Sequence, residues 1–240
     1  MSNLIDLGNH WSEMAKLRRL IPKESLFDLA DWQRFYKVSL NKGKLTNIPK
    51  FPWSEEELNQ PCPFFKDKKI LETHFAFLGL DAVNGAPLNI MKWKSLEPNF
   101  AKGFNSQYAN SWCNTQNFAA KTTCEFGWYL IMPEIISWSC GRSYKQQLLK
   151  LPYGYIIPSA IEEITKNFLV FKKQRRHPNR LCWAKCRDLM DNFDSEEEMN
   201  IIVGCAGPNG MAIDHSWKGD TNIRIGIGAA RLPTLKKEAR

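Results

Sequence analysis

YGYIIPSAIEEI, residues 153–164, is the stretch that decides the fold. Its apolar run ends at Pro158, and Ser159 is followed three residues later by Glu162, which is the capping-box pattern of a helix start. Beyond that start, apolar residues recur near helical spacing with lysines between them, which predicts a helix that buries one face. The apolar positions are Ile161, Ile164, Phe168, Leu169 and Phe171.

The closing segment, residues 222–231, alternates apolar and small residues. Such alternation is typical of a strand, and Gly226 and Gly228 permit neighbouring backbone to approach closely. Gly204, at the end of an earlier apolar run, is expected to act in the same way. We expect a side chain at any of these three glycines to collide with backbone of a sheet.

The two segments together resemble a known fold. The Tyr-x-Ile-Pro-Ser-x-x-Glu element at residues 155–162 and the ending at 225–231 are similar to the C-type lectin fold in its formylglycine-generating-enzyme-like branch. In that branch a Leu-Pro-Thr-x-x-Glu helix precedes a closing Gly-Phe-Arg-x-Ala-Arg strand. Ile227 followed by Gly228 departs from the closing pattern. The resemblance covers about residues 70–232 and implies an α+β, C-type-lectin-like fold.

Within that branch, the pattern is similar to the variable proteins of diversity-generating retroelements. In those proteins the segment before the final strand is the hypervariable ligand-binding surface, so the resemblance implies a non-enzymatic ligand binder. Here residues 208–222 mix aromatic, charged and amide side chains with glycines, a composition that suits recognition. Trp217 is the expected hot spot, with a core tryptophan in an irregular hairpin as the alternative. The candidate ligand-binding residues are Asn209, Met211, Ile213, Asp214, His215, Trp217, Lys218, Asp220 and Asn222.

The chain upstream suggests a division into two parts. Residues 10–21 and 23–39 predict helices, and residues 41–53 mix glycine, proline and lysine as a connector does. We therefore predict a helical N-terminal element with its connector over 1–53 and a C-type-lectin-like ligand-binding domain over 54–240. Further elements are predicted as strands over 73–80, 125–136, 181–187 and 201–204, short helices over 54–58, 87–96 with Pro87 in the first turn, and 144–149, a turn at Asn84-Gly85 and a long ordered loop over 99–123.

The formal charge of +8 is concentrated between residues 141 and 187, where Glu162 and Glu163 are the acidic residues. This region predicts either a solvated basic surface or, as the alternative function, a binder of nucleic acid or an anionic surface. The basic residues are Arg142, Lys145, Lys150, Lys166, Lys172, Lys173, Arg175, Arg176, Arg180, Lys185 and Arg187.

The acidic connection over 188–198 does not have the spacing of a calcium loop and is expected to be solvated.

Catalytic and metal chemistry find little support in the sequence. The four histidines are far apart, and His74 in its apolar strand is expected to be a core residue. Cys205 stands alone near the closing strand, so the cysteine pair of the formylglycine-generating enzymes is not matched. Cys182 and Cys186 have no second pair at ligand spacing. We expect no enzyme activity, no cofactor and no bound metal, and a protein or glycan as the partner.

Seven cysteines at irregular spacings favour a reducing compartment over a disulfide framework. The first six residues do not have the basic start and apolar core of a secretory signal, and no apolar run is long enough to span a membrane. We expect a cytoplasmic protein, with display on a surface or a virion as the alternative.

Overall fold

The computed structural model describes residues 12–99, 112–191, 198–207 and 210–234, and all elements below lie within these ranges. The helices are α1 (12–20), α2 (Leu29–Tyr36), α3 (Lys42–Thr46), α4 (Glu55–Leu58), α5 (Ile70–Thr73), α6 (Ile90–Leu96), α7 (Asn117–Ala120), α8 (Tyr144–Lys150) and α9 (Ala160–Gln174). The strands are β1 (Leu26–Phe27), β2 (Phe75–Gly79), β3 (Ala82–Val83), β4 (Ala86–Pro87), β5 (Gly127–Ile131), β6 (Tyr155–Ile156), β7 (Trp183–Leu189), β8 (Met199–Gly207), β9 (Gly210–Trp217), β10 (Ile225–Ile227) and β11 (Ala230–Arg231).

The strands form two main sheets and one hairpin. The order is β1-β2-β5-β11-β6 in the first sheet and β10-β7-β8-β9 in the second. Strand pairs are antiparallel except β1 with β2 and β10 with β7. The hairpin β3-β4 is closed by Asn84 and Gly85, both at positive φ, as the turn prediction requires. The prediction of an α+β fold is confirmed.

Helix α9 lies between the two main sheets. Its capping box is present, because the Ser159 Oγ accepts from the Glu162 amide at 3.4 Å and the Glu162 carboxylate accepts from the Ser159 amide at 2.7 Å. The expectation that this helix buries one face is wrong, since every residue from Ala160 to Val170 is buried. The cause is tertiary: α9 contacts β2 of the first sheet and β7 and β8 of the second.

A buried ion pair lies within α9. The Lys166 Nζ is 2.5 Å from the Glu163 Oε1, and the two side chains are 0% and 1% exposed. The lysine also donates to the Pro133 carbonyl at 2.7 Å, and Asn179 donates to the same Glu163 oxygen at 2.8 Å. The Asn179 Oδ1 accepts from the Ile135 amide at 2.9 Å. This network fastens the segment that follows β5 to the helix.

The closing segment divides between the two sheets. β10 pairs with β7 in the second sheet, and β11 pairs with β5 and β6 in the first. A Cβ built at Gly228, between them, would lie 3.0 Å from the Glu163 Oε2. At Gly226 it would meet the Ser139 Oγ at 2.7 Å, so at both positions the neighbour is a side chain and not backbone.

Gly204 fits the expectation made for the glycines. Its φ is +150°, and a Cβ there would lie 2.4 Å from the carbonyl oxygen of Cys182, the residue just before the adjacent strand β7. Backbone collision is therefore confirmed at this position.

The N-terminal segment shares its core and its first sheet with the rest of the chain. Leu17 and Trp32 belong to the same cluster of buried residues as Phe75 and Phe168, and β1 pairs with β2. The helix predicted over 23–39 begins only at Leu29. Asp28 caps it by accepting the Ala30 amide at 2.8 Å and the Asp31 amide at 3.3 Å, which leaves the preceding residues free to form β1.

Two other boundaries also differ from expectation. Pro87 lies in β4 and not in a helix, because Asn89 caps α6 by accepting the Lys92 amide at 2.8 Å. The predicted long loop falls partly on residues 100–111, outside the described residues; after them the chain forms a 3₁₀ turn and then α7.

His74 is a core residue, as predicted. It is 1% exposed, and its Nδ1 lies 3.1 Å from the Ile70 carbonyl oxygen and 3.0 Å from the Thr73 Oγ1. Burial lowers the pKa of His74 to about 3, so the ring is neutral near pH 7.

Candidate ligand-binding surface

The predicted ligand-binding residues lie on strand β9 and the turn that follows it. β9 is an outer strand of the second sheet and pairs with β8 in an antiparallel register that places Asp214 opposite Ile202 and Trp217 opposite Met199. The turn over residues 217–222, called the recognition turn below, leads into β10.

The structure separates the predicted residues into outward and inward positions. Met211 and Ile213 are 0% and 3% exposed, so the expectation that they are exposed is wrong. Alternate residues of a strand point to opposite faces, and these two face α9, where Asn167 contacts the Met211 sulfur at 3.2 Å. Asn209 lies outside the described residues. The exposed residues are Asp214, Trp217 and Asn222, and His215, Lys218 and Asp220 are half-buried.

Lys185 of β7 is hydrogen-bonded to the backbone of the recognition turn. The residue is buried, and its Nζ donates to the Trp217 carbonyl at 3.1 Å and to the Asp220 carbonyl at 3.4 Å. Burial lowers the pKa of Lys185, and the nearby Asp220 carboxylate partly offsets this. Both backbone carbonyls are thereby tied to the centre of the sheet.

Two of the predicted ligand-binding side chains stabilise the turn itself. The Asp220 carboxylate accepts from the Ser216 hydroxyl at 2.8 Å and from the Asn222 amide at 2.9 Å. The Asn222 side-chain oxygen accepts from the Arg224 amide at 2.9 Å. These polar atoms are therefore occupied by the turn, which reduces what they offer to a ligand.

The remaining candidates have neighbours that the sequence did not reveal. The His215 ring meets the Trp112 ring edge to face at 5.2 Å and lies 3.3 Å from the Asp214 carboxylate. Lys218 forms an ion pair with Glu198, across the hairpin. Trp217 is 38% exposed, which is a large fraction for an indole and agrees with an outward position.

Helix α8 borders the recognition turn. The Tyr144 amide donates to the Lys218 carbonyl at 2.9 Å, and the Gly141 amide donates to the Asn222 carbonyl at 3.3 Å. Between helix and turn lies a cavity of about 380 Å³. Its lining residues are Ser143, Tyr144, Lys145, Leu148, Lys218 and Gly219.

Apolar exposure around this cavity is unusual for a surface helix. α8 buries Gln147, whose amide donates to the Ser139 carbonyl at 2.9 Å, while Leu148 and Leu149 are 45% and 77% exposed. Ile223, which follows the recognition turn and lies beside Gly141, is 81% exposed. Exposed apolar side chains that lie near one another mark interaction sites, and of these three Leu148 lines the cavity itself. We call α8, the recognition turn and Ile223 together the recognition surface.

Sequence reasoning missed the α8 part of this surface. The signal was the adjacent Leu148 and Leu149 between lysines, and Ile223 between two polar residues. The sequence places Lys185 only within a basic region, because its burial depends on the pairing of β7 with β8 and β10.

The basic residues between 142 and 187 do not form one continuous cationic face. Lys166 and Lys185 are buried, and others are paired with carboxylates. The pairs are Lys172 with Glu97, Lys173 with Asp31, Arg176 with Glu134 and Arg187 with Glu162. The predicted alternative function through this region therefore has fewer available charges than the sequence suggests.

A second cleft, of about 540 Å³, lies at the start of α9. Arg187 and Glu162 within it are 2.8 Å apart, and Asp188 accepts from the Ala160 amide at 2.5 Å. Burial raises the pKa of Asp188. These charged groups are thus bound to one another and to the helix start.

Among the described residues, no group of three histidine, cysteine or acidic side chains is arranged to hold a metal ion. The seven cysteines are free thiols. No helix in the described ranges has the length and apolar character to cross a membrane. Comparison with protein-family models, with curated proteins and with solved structures finds no match to this chain.

Proposed function

We propose that this protein is a non-enzymatic ligand-binding protein whose recognition surface is formed by α8, the recognition turn and Ile223. The observation that carries the proposal is the pair of hydrogen bonds that the Lys185 Nζ donates to the carbonyls of Trp217 and Asp220, called the Lys185 clamp below. A turn that is already fixed before binding loses little conformational entropy on association. Its exposed tryptophan is the side chain most suited to a binding hot spot.

A protein ligand is favoured over a glycan. Leu148, Leu149 and Ile223 are aliphatic, and aliphatic side chains gain free energy by covering apolar surface on a partner. Lys145 and Lys150 are exposed on the same helix, so an acidic and apolar segment of a protein complements the surface best.

The resemblance to retroelement-diversified variable proteins supports the same function from the sequence side. On that proposal the gene lies beside a reverse transcriptase and a near-copy of its own 3′ end, with differences at adenines. We now expect variation at Asp214, Trp217 and Lys218 and not at Met211 or Ile213, since the latter two are buried. Genomic sequence around the gene tests this directly.

Binding experiments test the proposal. The wild-type chain is screened against a random-peptide display library and a glycan array, and the best ligand is titrated against Trp217→Ala. We expect a loss of affinity of about thirtyfold or more, as for hot-spot aromatics. The matched control is Phe65→Ala, another exposed aromatic, outside the recognition surface. Equal losses in both variants, or no ligand from either screen, would reject the proposal.

A further inference from the structure

A cationic depression lies where α1, α2 and the end of α9 meet, and it shares no residue with the recognition surface. Its volume is about 360 Å³, and Ile21 and Leu26, both buried, contribute an apolar floor. A second depression of about 280 Å³ adjoins it and has Lys23, Arg34 and Lys173 in common with it. Neither depression was indicated by a sequence motif.

The charges of the first depression do not cancel. Four cationic side chains and two carboxylates line it. The carboxylates are already matched, because Arg18 lies 2.7 Å from Asp28 and Lys173 lies 2.6 Å from Asp31. Lys23 and Arg34 are exposed and have no carboxylate partner among the described residues. Two positive charges thus remain at one small cavity.

We propose that this depression binds a phosphate group. A phosphate monoester carries a charge of about −1.5 to −2 near neutral pH and several strong acceptor oxygens, which matches two uncompensated cations. The Arg34 guanidinium can donate two parallel hydrogen bonds to such a group, and Lys23 supplies a second positive charge. The second depression adds the exposed cation Arg175 and the exposed carboxylate Glu24, whose opposite charges offset each other, so the excess positive charge is that of Lys23 and Arg34.

The phosphate could belong to a small phosphoester or to a nucleic acid backbone. Binding of a small ligand depends on the shape of the depression and on few charges. Binding of a nucleic acid engages several phosphates and falls steeply as salt rises. Titrations with adenosine triphosphate and with a short oligothymidine at two salt concentrations distinguish the two sources.

Isothermal titration calorimetry with inorganic pyrophosphate tests the proposal itself. We expect Lys23→Ala/Arg34→Ala to bind at least tenfold more weakly than the wild type, since each charged hydrogen-bonding partner accounts for about tenfold in affinity. Lys66→Ala/Arg180→Ala is the matched control, because it removes one exposed lysine and one exposed arginine that do not line either depression. Its affinity should stay within about twofold of the wild type, since the two removed charges make no contact with the ligand and long-range effects are screened.

Three outcomes would overturn the proposal. They are absence of pyrophosphate binding by the wild type, equal weakening in both double variants, and binding of the tricarboxylate citrate as tightly as pyrophosphate. Thermal melting of each variant establishes that it is folded, and all four substituted residues are exposed.

Discussion

The Nζ of Lys185, in the second sheet, donates to the carbonyl oxygen of Trp217 over 3.1 Å. This contact joins the buried centre of the sheet to the residue that the sequence indicates as a binding hot spot. Because Lys185 also reaches the Asp220 carbonyl, one side chain supports both ends of a tight bend. The exposed indole is therefore presented on backbone that is held in place.

Lys185→Met tests whether this support matters. Methionine is also unbranched but has no hydrogen-bond donor, so the Trp217 and Asp220 carbonyls lose the hydrogen bond from residue 185. We expect faster hydrogen exchange at the Asp220 amide, a weaker complex with the selected ligand and a loss of about 1–3 kcal/mol in unfolding free energy. Lys121→Met, at an exposed position, is the control. Unchanged exchange at residues 217–222 would show that the clamp is unnecessary.

The Glu163 and Lys166 pair predicts strong coupling. Lys166→Met leaves the buried Glu163 carboxylate without its cation and should lower the unfolding free energy by about 3–5 kcal/mol. The double variant Glu163→Gln/Lys166→Met should be less destabilised than the sum of the single variants, because no uncompensated charge remains. Urea denaturation of the wild type, the two single variants and the double variant measures the four unfolding free energies. Additive losses would mean that the two residues act independently.

Lys185 and Lys166 illustrate what the sequence could and could not predict. Local features were predictable: Ser159 with Glu162 formed the expected capping box, and the short helix predicted over 54–58 forms as α4. The burial of Lys166 was not, because it requires a second sheet to cover the polar side of α9. The spacing of apolar residues within the helix does not indicate that a second sheet packs against its polar side.

The candidate site shows the same division. The exposure of Trp217 was predictable from its polar and glycine-rich surroundings, whereas the strand β9 that ends at Trp217 was not predicted. The inward orientation of Met211 and Ile213 was indicated by their alternation with Ala212 and Asp214, a period-two signal that composition alone obscures. The contribution of Leu148 depends on a contact between segments distant in sequence.

Stability should distinguish these two sets of strand residues. Met211→Ala creates a cavity between β9 and α9, and a loss of about 2–5 kcal/mol is expected. Asp214→Ala, at an exposed position of the same strand, should change stability by no more than about 0.5 kcal/mol. Thermal or urea unfolding provides both values. An unfolding free energy of Met211→Ala equal to that of the wild type would mean that β9 does not pack against α9 as described.

His74 makes stability depend on pH. Its pKa falls from 6.5 to about 3 on folding, so the unfolded chain binds a proton between these values and the folded chain does not. Stability from this group is present above pH 6.5 and is lost as pH falls towards 3, by up to about 1.4 kcal/mol per pH unit. The stability difference between the wild type and His74→Phe should therefore shrink on acidification. A difference that stays constant from pH 7 to pH 4 would contradict this account.

The most direct test of the proposed function is a hydrogen–deuterium exchange footprint of the wild-type chain with and without the selected peptide ligand. The account predicts slowed exchange over residues 141–150 and 213–223, which contain α8, the end of β9, the recognition turn and Ile223. Slowed exchange confined to the cationic depression or to the cleft at the start of α9, with the recognition surface unchanged, would contradict it.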